Sequence, residues 1–281
     1  PEYGHTKGVE TTTGPLGQGI ANGVGMAMAI KRTQAVVNSE QFAEVYDPFV
    51  YVLAGDGCLQ EGVSAEASSL AGHLGLDNLI LIYDSNNISI DGDTSLAFGE
   101  DVCARYESYG FNVYEVRKLS DGDINIEELD RVLRLARRRN GKPTFIKMHT
   151  TIAWPAPNAK NTAKSHGSAL GADEISQTKK ILGLDPSLDF FVDTEALNNA
   201  RRVKERGKEL FEEWETFLEK FKRDEPSAFE ALNSLHTLTI AHDALPQWRI
   251  GEKVSTRKAS GKALNTLVKN NPGLWGGSAD L

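Results

Sequence analysis

The chain has 281 residues, 40% of them hydrophobic and 25% charged, an ordinary globular composition with room for one large domain or two smaller ones. Its longest apolar runs, such as Leu79 to Tyr83, fall far short of the roughly 20 residues of a membrane span, and no charged-then-apolar leader stands at its start, so a soluble, cytoplasmic protein with no membrane partner is expected. With 31 Lys and Arg against 39 Asp and Glu, the net charge of −8 argues against nucleic acid as a partner, and an anionic substrate would need a local positive field. Cys58 and Cys103 cannot make a disulfide framework and are expected to be free thiols. The opening at Pro1 without an initiator Met, and the close on Ala279-Asp280-Leu281 without a polar tail, suggest a piece of a longer protein.

Residues 14 to 32 are expected to form the first helix, with Gly14 as N-cap, Pro15 at the first helical position and Leu16, Ile20, Val24 and Met28 at i+4 spacing. Gly17, Gly19, Gly23 and Gly25 would each cost roughly 0.5–1 kcal/mol relative to Ala inside a helix. Such a helix is expected to be buried against another backbone, with a subunit interface as one possible setting. Four runs rich in β-branched and aromatic residues, 49–53, 79–83, 112–116 and 143–147, then read as strands. Helical stretches at about 61–75, 100–109 and 126–139 lie between them, and this alternation predicts an α/β fold, a doubly wound parallel sheet with helices on both faces. Ligands of such sheets bind outside the carboxyl ends of the strands. Residues 153–171 read as a functional loop, 194–222 as a charged, solvated connecting helix, and 240–255 as a linker.

Two turns carry the chemistry. The first strand runs into Gly55-Asp56-Gly57 and the second into Asp84-Ser85-Asn86-Asn87, so both turns sit at carboxyl ends of strands. Glycines let a diphosphate approach the backbone, and Asp56 and Asn86 offer hard oxygens to Mg²⁺, which takes few ligands from protein and the rest from phosphate and water. Either turn alone is a weak signal; the pair, one strand–helix–strand unit apart, is a strong one.

With these turns the sequence resembles the thiamine-diphosphate enzymes and, more narrowly, the transketolase family. The resemblance is carried by Pro1-Glu2, by Gly8 through Gly19, by Gly55 through Gly62, by Glu66-Ala67-Ser68-Ser69, by Tyr83 through Gly92, by His166-Gly167 and by Ala279-Asp280-Leu281. It implies a diphosphate-binding domain over residues 1–240 that lacks its amino-terminal part, a linker over 241–254, and the start of a pyrimidine-binding domain over 255–281. By the same resemblance the Mg²⁺ ligands (Ca²⁺ or Mn²⁺ being alternatives) are Asp56, the side chain of Asn86 and the carbonyl of Ile88. Gly57 and Asn86 touch the diphosphate, and Gly14, Pro15 and Leu16 line the cofactor. His166 bonds both diphosphate and substrate and acts as a catalytic residue, while Arg257 grips the sugar phosphate. Glu61 and Glu66 belong to a carboxylate cluster near a dimer interface; apart from the resemblance, Glu66 lies one helical turn from both Val63 and Leu70 and is expected to be partly buried.

His5, His73, His149, His236 and His242 match no family motif and read as structural or surface residues. Ser85 departs from a position where an acidic residue is common, and several family residues, including an amino-terminal His and the Glu that activates the cofactor, fall outside the chain. The activity implied is transfer of a two-carbon ketol unit between phosphorylated sugars by a homodimer, with the 281-residue piece inactive by itself. A formaldehyde-using transketolase, a 1-deoxyxylulose-phosphate synthase and a non-catalytic metal-diphosphate module are the rival readings; the Thr13 to Gln18 context disfavours the synthase.

Overall fold

The runs of Val, Ile, Leu and Tyr can satisfy their backbones only by pairing, and in the computed structural model, which describes residues 2–240 and 242–277, they do so in one parallel sheet. Its strands are β1 (Val50–Gly55), β2 (Leu79–Ser85), β5 (Asn112–Val116) and β6 (Thr144–His149), in the order β1-β2-β6-β5. A short hairpin, β3 (Ile88–Ser89) against β4 (Gly92–Asp93), follows β2 directly. The helices are α1 (Gln18–Val37), α2 (Asp56–Gln60), α3 (Gly62–His73), α4 (Val102–Ser108), α5 (Ile126–Ala136), α6 (Ala172–Ile181), α7 (Thr194–Asp224), α8 (Pro226–Leu235) and α9 (Thr256–Asn270). Pro1, Ala241 and residues 278–281, which include the Ala279-Asp280-Leu281 motif, lie outside the described residues.

The chain divides into two compact units, residues 1–31 with 48–198, and residues 32–47 with 199–281. In the first unit the sheet is covered on both faces, as a parallel sheet requires. On one face Val52, Ala54, Leu79, Leu81, Tyr83 and Phe145 pack against Ile20, Val24 and Ala27 of α1, Ala71 of α3, and Val102 and Tyr106 of α4. On the other, Ile80, Ile146 and Val116 meet Val132 and Ala136 of α5. β1 is an edge strand whose Tyr51 and Leu53 remain exposed on that second face. In the second unit, Val37, Phe42 and Val45 form a small core with Phe221 of α7, flanked by Phe217, Leu218, Phe229 and Leu232. The carboxyl-terminal third of α7 is thus packed, whereas the sequence predicts a solvated helix throughout. Among the described residues no helix is long and apolar enough to cross a membrane.

The first helix differs from the expected one. It starts at Gln18, not Gly14, because Gly17 has φ +78°, a left-handed conformation that ends the preceding turn rather than continuing a helix. A Cβ there would also lie 2.8 Å from Val63 Cγ1 and 2.9 Å from Ser64 Oγ. Residues 14–17 are therefore a tight turn laid against the start of α3, and Gly14 is not an N-cap. Nor is the helix held wholly by backbone approach. Gly23 faces Val52, with 2.3 Å from its would-be Cβ to Val52 Cγ2, while Gly25 has no neighbour within 4 Å.

At the amino end of the sheet Asp77, just before β2, accepts from Lys31 at 2.5 Å and from the Gly141 amide at 3.1 Å, with Arg139 at 3.5 Å. Burial alone would raise this carboxyl, but the Lys31 hydrogen bond and the two cations outweigh it and hold it below its ordinary range. A carboxylate depressed in the folded state contributes stability above its unfolded pKa and loses it as pH falls through the folded one. Asp77→Asn is accordingly expected to lower the melting temperature at neutral pH and to converge on the parent at strongly acidic pH. Parallel thermal melts that kept a constant gap would remove this role.

Candidate functional site

β1 and β2 run in register to their last residues, Gly55 opposite Asp84, so their following loops leave the sheet side by side. Out of β1 the chain turns at once into α2, whose first residue is Asp56. The sequence gives no strong sign of this one-turn helix, flanked as it is by glycines, yet two bonds anchor it. Ser64 Oγ donates to the Cys58 carbonyl at 2.5 Å, and Arg105 Nη2 donates to the Leu59 carbonyl at 2.9 Å, so the end of α2 is capped from α3 and α4.

Asp56 is 4% exposed and its carboxylate is held from β2 and the loop beyond. The Tyr83 hydroxyl donates to Oδ1 at 2.7 Å, and the Asn86 backbone N–H donates to Oδ2 at 3.2 Å. Asn86 in turn accepts on its side-chain Oδ1 from the Ile88 N–H at 2.9 Å. Asn87, at φ 62°, completes the turn into the β3–β4 hairpin, its carbonyl accepting from the Thr94 N–H at 3.0 Å. Asn is one of the few residues that adopts this conformation readily. The three residues that the resemblance names as metal ligands, Asp56, Asn86 and Ile88, are therefore joined by two hydrogen bonds.

The electrostatics are unusual. Both partners of the buried carboxylate are neutral donors, and among the described residues no ion pair reaches it. A buried carboxylate without a counter-charge is costly, and its remaining lone pairs suit a hard cation. Among the described residues no three His, Cys, Asp or Glu side chains form a metal cage. A divalent ion would thus have Asp56 as its one charged protein ligand, the remaining oxygens coming from amide, carbonyl, phosphate and water, which is how Mg²⁺ binds. On this donor set the residues present fit such an ion. Burial pushes the Tyr83 hydroxyl well above its ordinary value, with the Asp56 carboxylate adding to the rise, so the phenol stays protonated and donates.

Of the other named residues, Gly57 follows Asp56 in α2, and Leu16 packs over it: a Cβ on Gly57 would lie 3.1 Å from Leu16 Cδ1. Leu16 is itself 52% exposed, and Gly14 and Pro15 are exposed in the same turn. The turn 14–17 and the start of α2 therefore share a surface. His166, exposed, closes a 3₁₀ turn (Ala163–His166) that packs beside β3, which carries Ile88. The loop bearing it is well tied. Glu174 of α6 accepts from the Asn158 and Ala159 N–H groups at 2.7 and 2.8 Å, and Ser165 Oγ donates to the Ala159 carbonyl at 2.5 Å. The Asn158 side chain and these N–H groups hold the Glu174 carboxyl below its ordinary value.

Arg257 lies in the second unit, exposed in the first turn of α9, a helix capped by Ser255 that begins just past the stretch expected to be a linker. Glu66 is a correction: it is exposed, not partly buried, since the buried stripe of α3 runs through Ser64, Ser68 and Ala71. Glu61 is exposed too. His149 pairs with Glu115 at 2.8 Å across β6 and β5, in keeping with a structural role.

The residue that sequence reasoning misses is Tyr83. A buried Tyr needs a partner for its hydroxyl, and its place among aliphatic residues, just before the second turn, is the signal that could have found it.

Residues 1–239 match the family described as "Transketolase, thiamine diphosphate binding domain". Among curated relatives, the transketolase of Mycobacterium leprae is 44% identical over the whole of this chain and 40% of its own length, and transketolase 2 of Saccharomyces cerevisiae is 45% identical over the whole of this chain and 41% of its own. Among solved structures, transketolase from Leishmania mexicana superposes with a TM-score of 0.85 at 41% identity, covering 98% of this chain and 41% of that one. Transketolase from Pichia stipitis in complex with sedoheptulose 7-phosphate gives 0.80 at 39% identity, over 94% and 39%. The chain thus spans about two fifths of the length of these relatives. The match over residues 1–239 covers both turns at the ends of β1 and β2, and the chain belongs to the transketolase family through its thiamine-diphosphate-binding domain.

Proposed function

We propose that the protein of which this chain is part is a transketolase enzyme, moving a two-carbon ketol unit reversibly from a ketose phosphate to an aldose phosphate with thiamine diphosphate and a divalent cation, Mg²⁺ first and Ca²⁺ or Mn²⁺ as substitutes. The observation that carries the reading is the buried Asp56, bonded only by neutral donors, beside Asn86 at the carboxyl edge of the sheet. Thiamine diphosphate supplies, when bound, the carbanion chemistry that the protein itself cannot.

In this reading Asp56, the Asn86 amide oxygen and the Ile88 carbonyl hold the cation. Gly57, Asn86 and His166 contact the diphosphate, and Gly14, Pro15 and Leu16 line the cofactor. The His166 imidazole donates a hydrogen bond to the substrate and carries a proton at its ring nitrogen. Residues 1–240 form the diphosphate domain and 255–281 open a second domain after a linker at 241–254. The assembly is a cytoplasmic homodimer whose active site is shared between subunits. A relative solved with sedoheptulose 7-phosphate supports phosphorylated sugars as substrates.

Arg257 would supply the local positive charge that a net charge of −8 makes necessary. A guanidinium holds a phosphate through two parallel hydrogen bonds, and losing such a charge-assisted contact of about 1.5–3 kcal/mol lowers kcat/KM about 10- to 100-fold. The test is a turnover assay of the complete gene product with xylulose 5-phosphate and ribose 5-phosphate. Activity that depends on thiamine diphosphate and Mg²⁺ is expected, with Arg257→Ala losing it for phosphorylated sugars while nearly sparing hydroxypyruvate paired with an unphosphorylated acceptor. No turnover with any ketose phosphate would refute the reading; equal loss for both substrate kinds would make Arg257 structural.

A further inference from the structure

Tyr83 is 2% exposed, and its hydroxyl spends its hydrogen on one atom, Asp56 Oδ1 at 2.7 Å. Its ring is fixed from behind by an aromatic column. The Tyr83 and Phe145 centroids are 6.0 Å apart, Phe145 stacks on Tyr106 at 3.9 Å, and Tyr106 meets Phe111 edge-on at 5.1 Å. The Tyr106 hydroxyl is itself anchored, 3.0 Å from Ser68 Oγ of α3. Backbone register adds a second constraint, since Tyr83 pairs with Ala54, two residues before Asp56. Neither end of the Tyr83–Asp56 bond is free to swing.

From this geometry we infer that Tyr83 is a positioning residue for the cation, holding the Asp56 carboxylate in one rotamer so that its remaining lone pairs face the Asn86–Ile88 turn before any ion arrives. The inference rests on the reading of Asp56 as a metal ligand. Its consequence lies in selectivity as well as affinity. Mg²⁺ demands a near-ideal octahedron and short bonds, whereas Ca²⁺ tolerates irregular, longer coordination. A carboxylate that wanders therefore penalises Mg²⁺ more than Ca²⁺, and a group that fixes it favours Mg²⁺. Partners of metal ligands typically change metal affinity 10- to 100-fold when removed.

Tyr83→Phe deletes only the hydroxyl and keeps the aromatic column. The experiment is a calorimetric titration of the complete gene product with Mg²⁺, and separately with Ca²⁺, at saturating thiamine diphosphate, alongside thermal melts without ligand. The expected result is Mg²⁺ binding weakened about 10- to 100-fold, Ca²⁺ binding weakened less, and a melting temperature close to the parent's. Asp56→Ala, titrated in parallel, separates the two layers of the argument. If it abolishes metal binding while Tyr83→Phe leaves both ions unchanged, the positioning role is overturned and the ligand assignment stands. Where Asp56→Ala also binds normally, both fall. Equal weakening for Mg²⁺ and Ca²⁺, or weakening in proportion to a lowered melting temperature, would make Tyr83 a packing residue and overturn the inference.

Discussion

Asp56→Ala is expected to leave a calorimetric titration of the complete gene product with thiamine diphosphate and Mg²⁺ flat. In the proposed site the substitution removes the one charged ligand offered to the cation, and without the cation the diphosphate would lose that compensating charge. The fold is expected to survive. Tyr83 loses the acceptor it bonds at 2.7 Å, but the cost of burying a carboxylate without a counter-charge goes with it, so melts without ligand should remain cooperative and close to the parent's. Unchanged binding of thiamine diphosphate would show that the two turns at the strand ends do not form its metal site.

Gly72→Ala is expected to be the most damaging single methyl in the first unit. A Cβ at Gly72, in the last turn of α3, would stand 1.7 Å from the Tyr109 carbonyl oxygen and 2.7 Å from its carbon. Both are backbone atoms, so no side chain can swing aside and the crossing of α3 with the end of α4 must open. Ala gains up to about 1 kcal/mol of helix propensity over Gly. Overpacking against backbone outweighs that, and we expect a net loss of about 3–5 kcal/mol and a melting temperature lower by about 10 °C or more. Gly25→Ala is the control within the same element class. No atom lies within 4 Å of its would-be Cβ, so it is expected to be neutral or slightly stabilising. Equal melting temperatures for the two variants would contradict the close helix crossing.

The sheet was legible in the sequence because each strand is a short block of β-branched or aliphatic residues bounded by polar turns. Leu79 to Tyr83 lies within β2, and Asn112 to Val116 coincides with β5. Helices with an apolar stripe, such as α5, were legible for the same reason. The start of α1 was not. Gly14-Pro15 carries a genuine helix-start signal, but the nearby contact of Gly17 with Val63 and Ser64 imposes a turn there, and that contact is invisible in the local sequence. Glu66 failed differently: a helix of small residues such as α3 gives a weak periodicity, and its buried stripe runs through Ser64, Ser68 and Ala71 instead. α8 and α9 carry their signals in Pro226 at a helix start and Ser255 as a cap. At the site, residue types at strand ends pointed to Asp56 and Asn86, while Tyr83, a neutral donor to Asp56, is read only from the buried hydrogen bond between them.

The level ends of β1 and β2 also set an order of events in folding. Gly55 faces Asp84 only when the whole parallel pair, from Val50 opposite Leu79 onward, has zipped without slipping. A slip of one residue would turn Tyr83 to the opposite face of the sheet and carry its hydroxyl away from Asp56. Parallel pairing across an intervening helix is a non-local, slow contact, because loop-closure entropy is lost before any pairing energy is gained. Helices α3 and α5, whose backbone hydrogen bonds are local, can form before the two turns meet. A cation site built on these turns, as proposed, would thus be completed late, and an ion binding only the correctly registered sheet would draw the folding population toward that register by mass action.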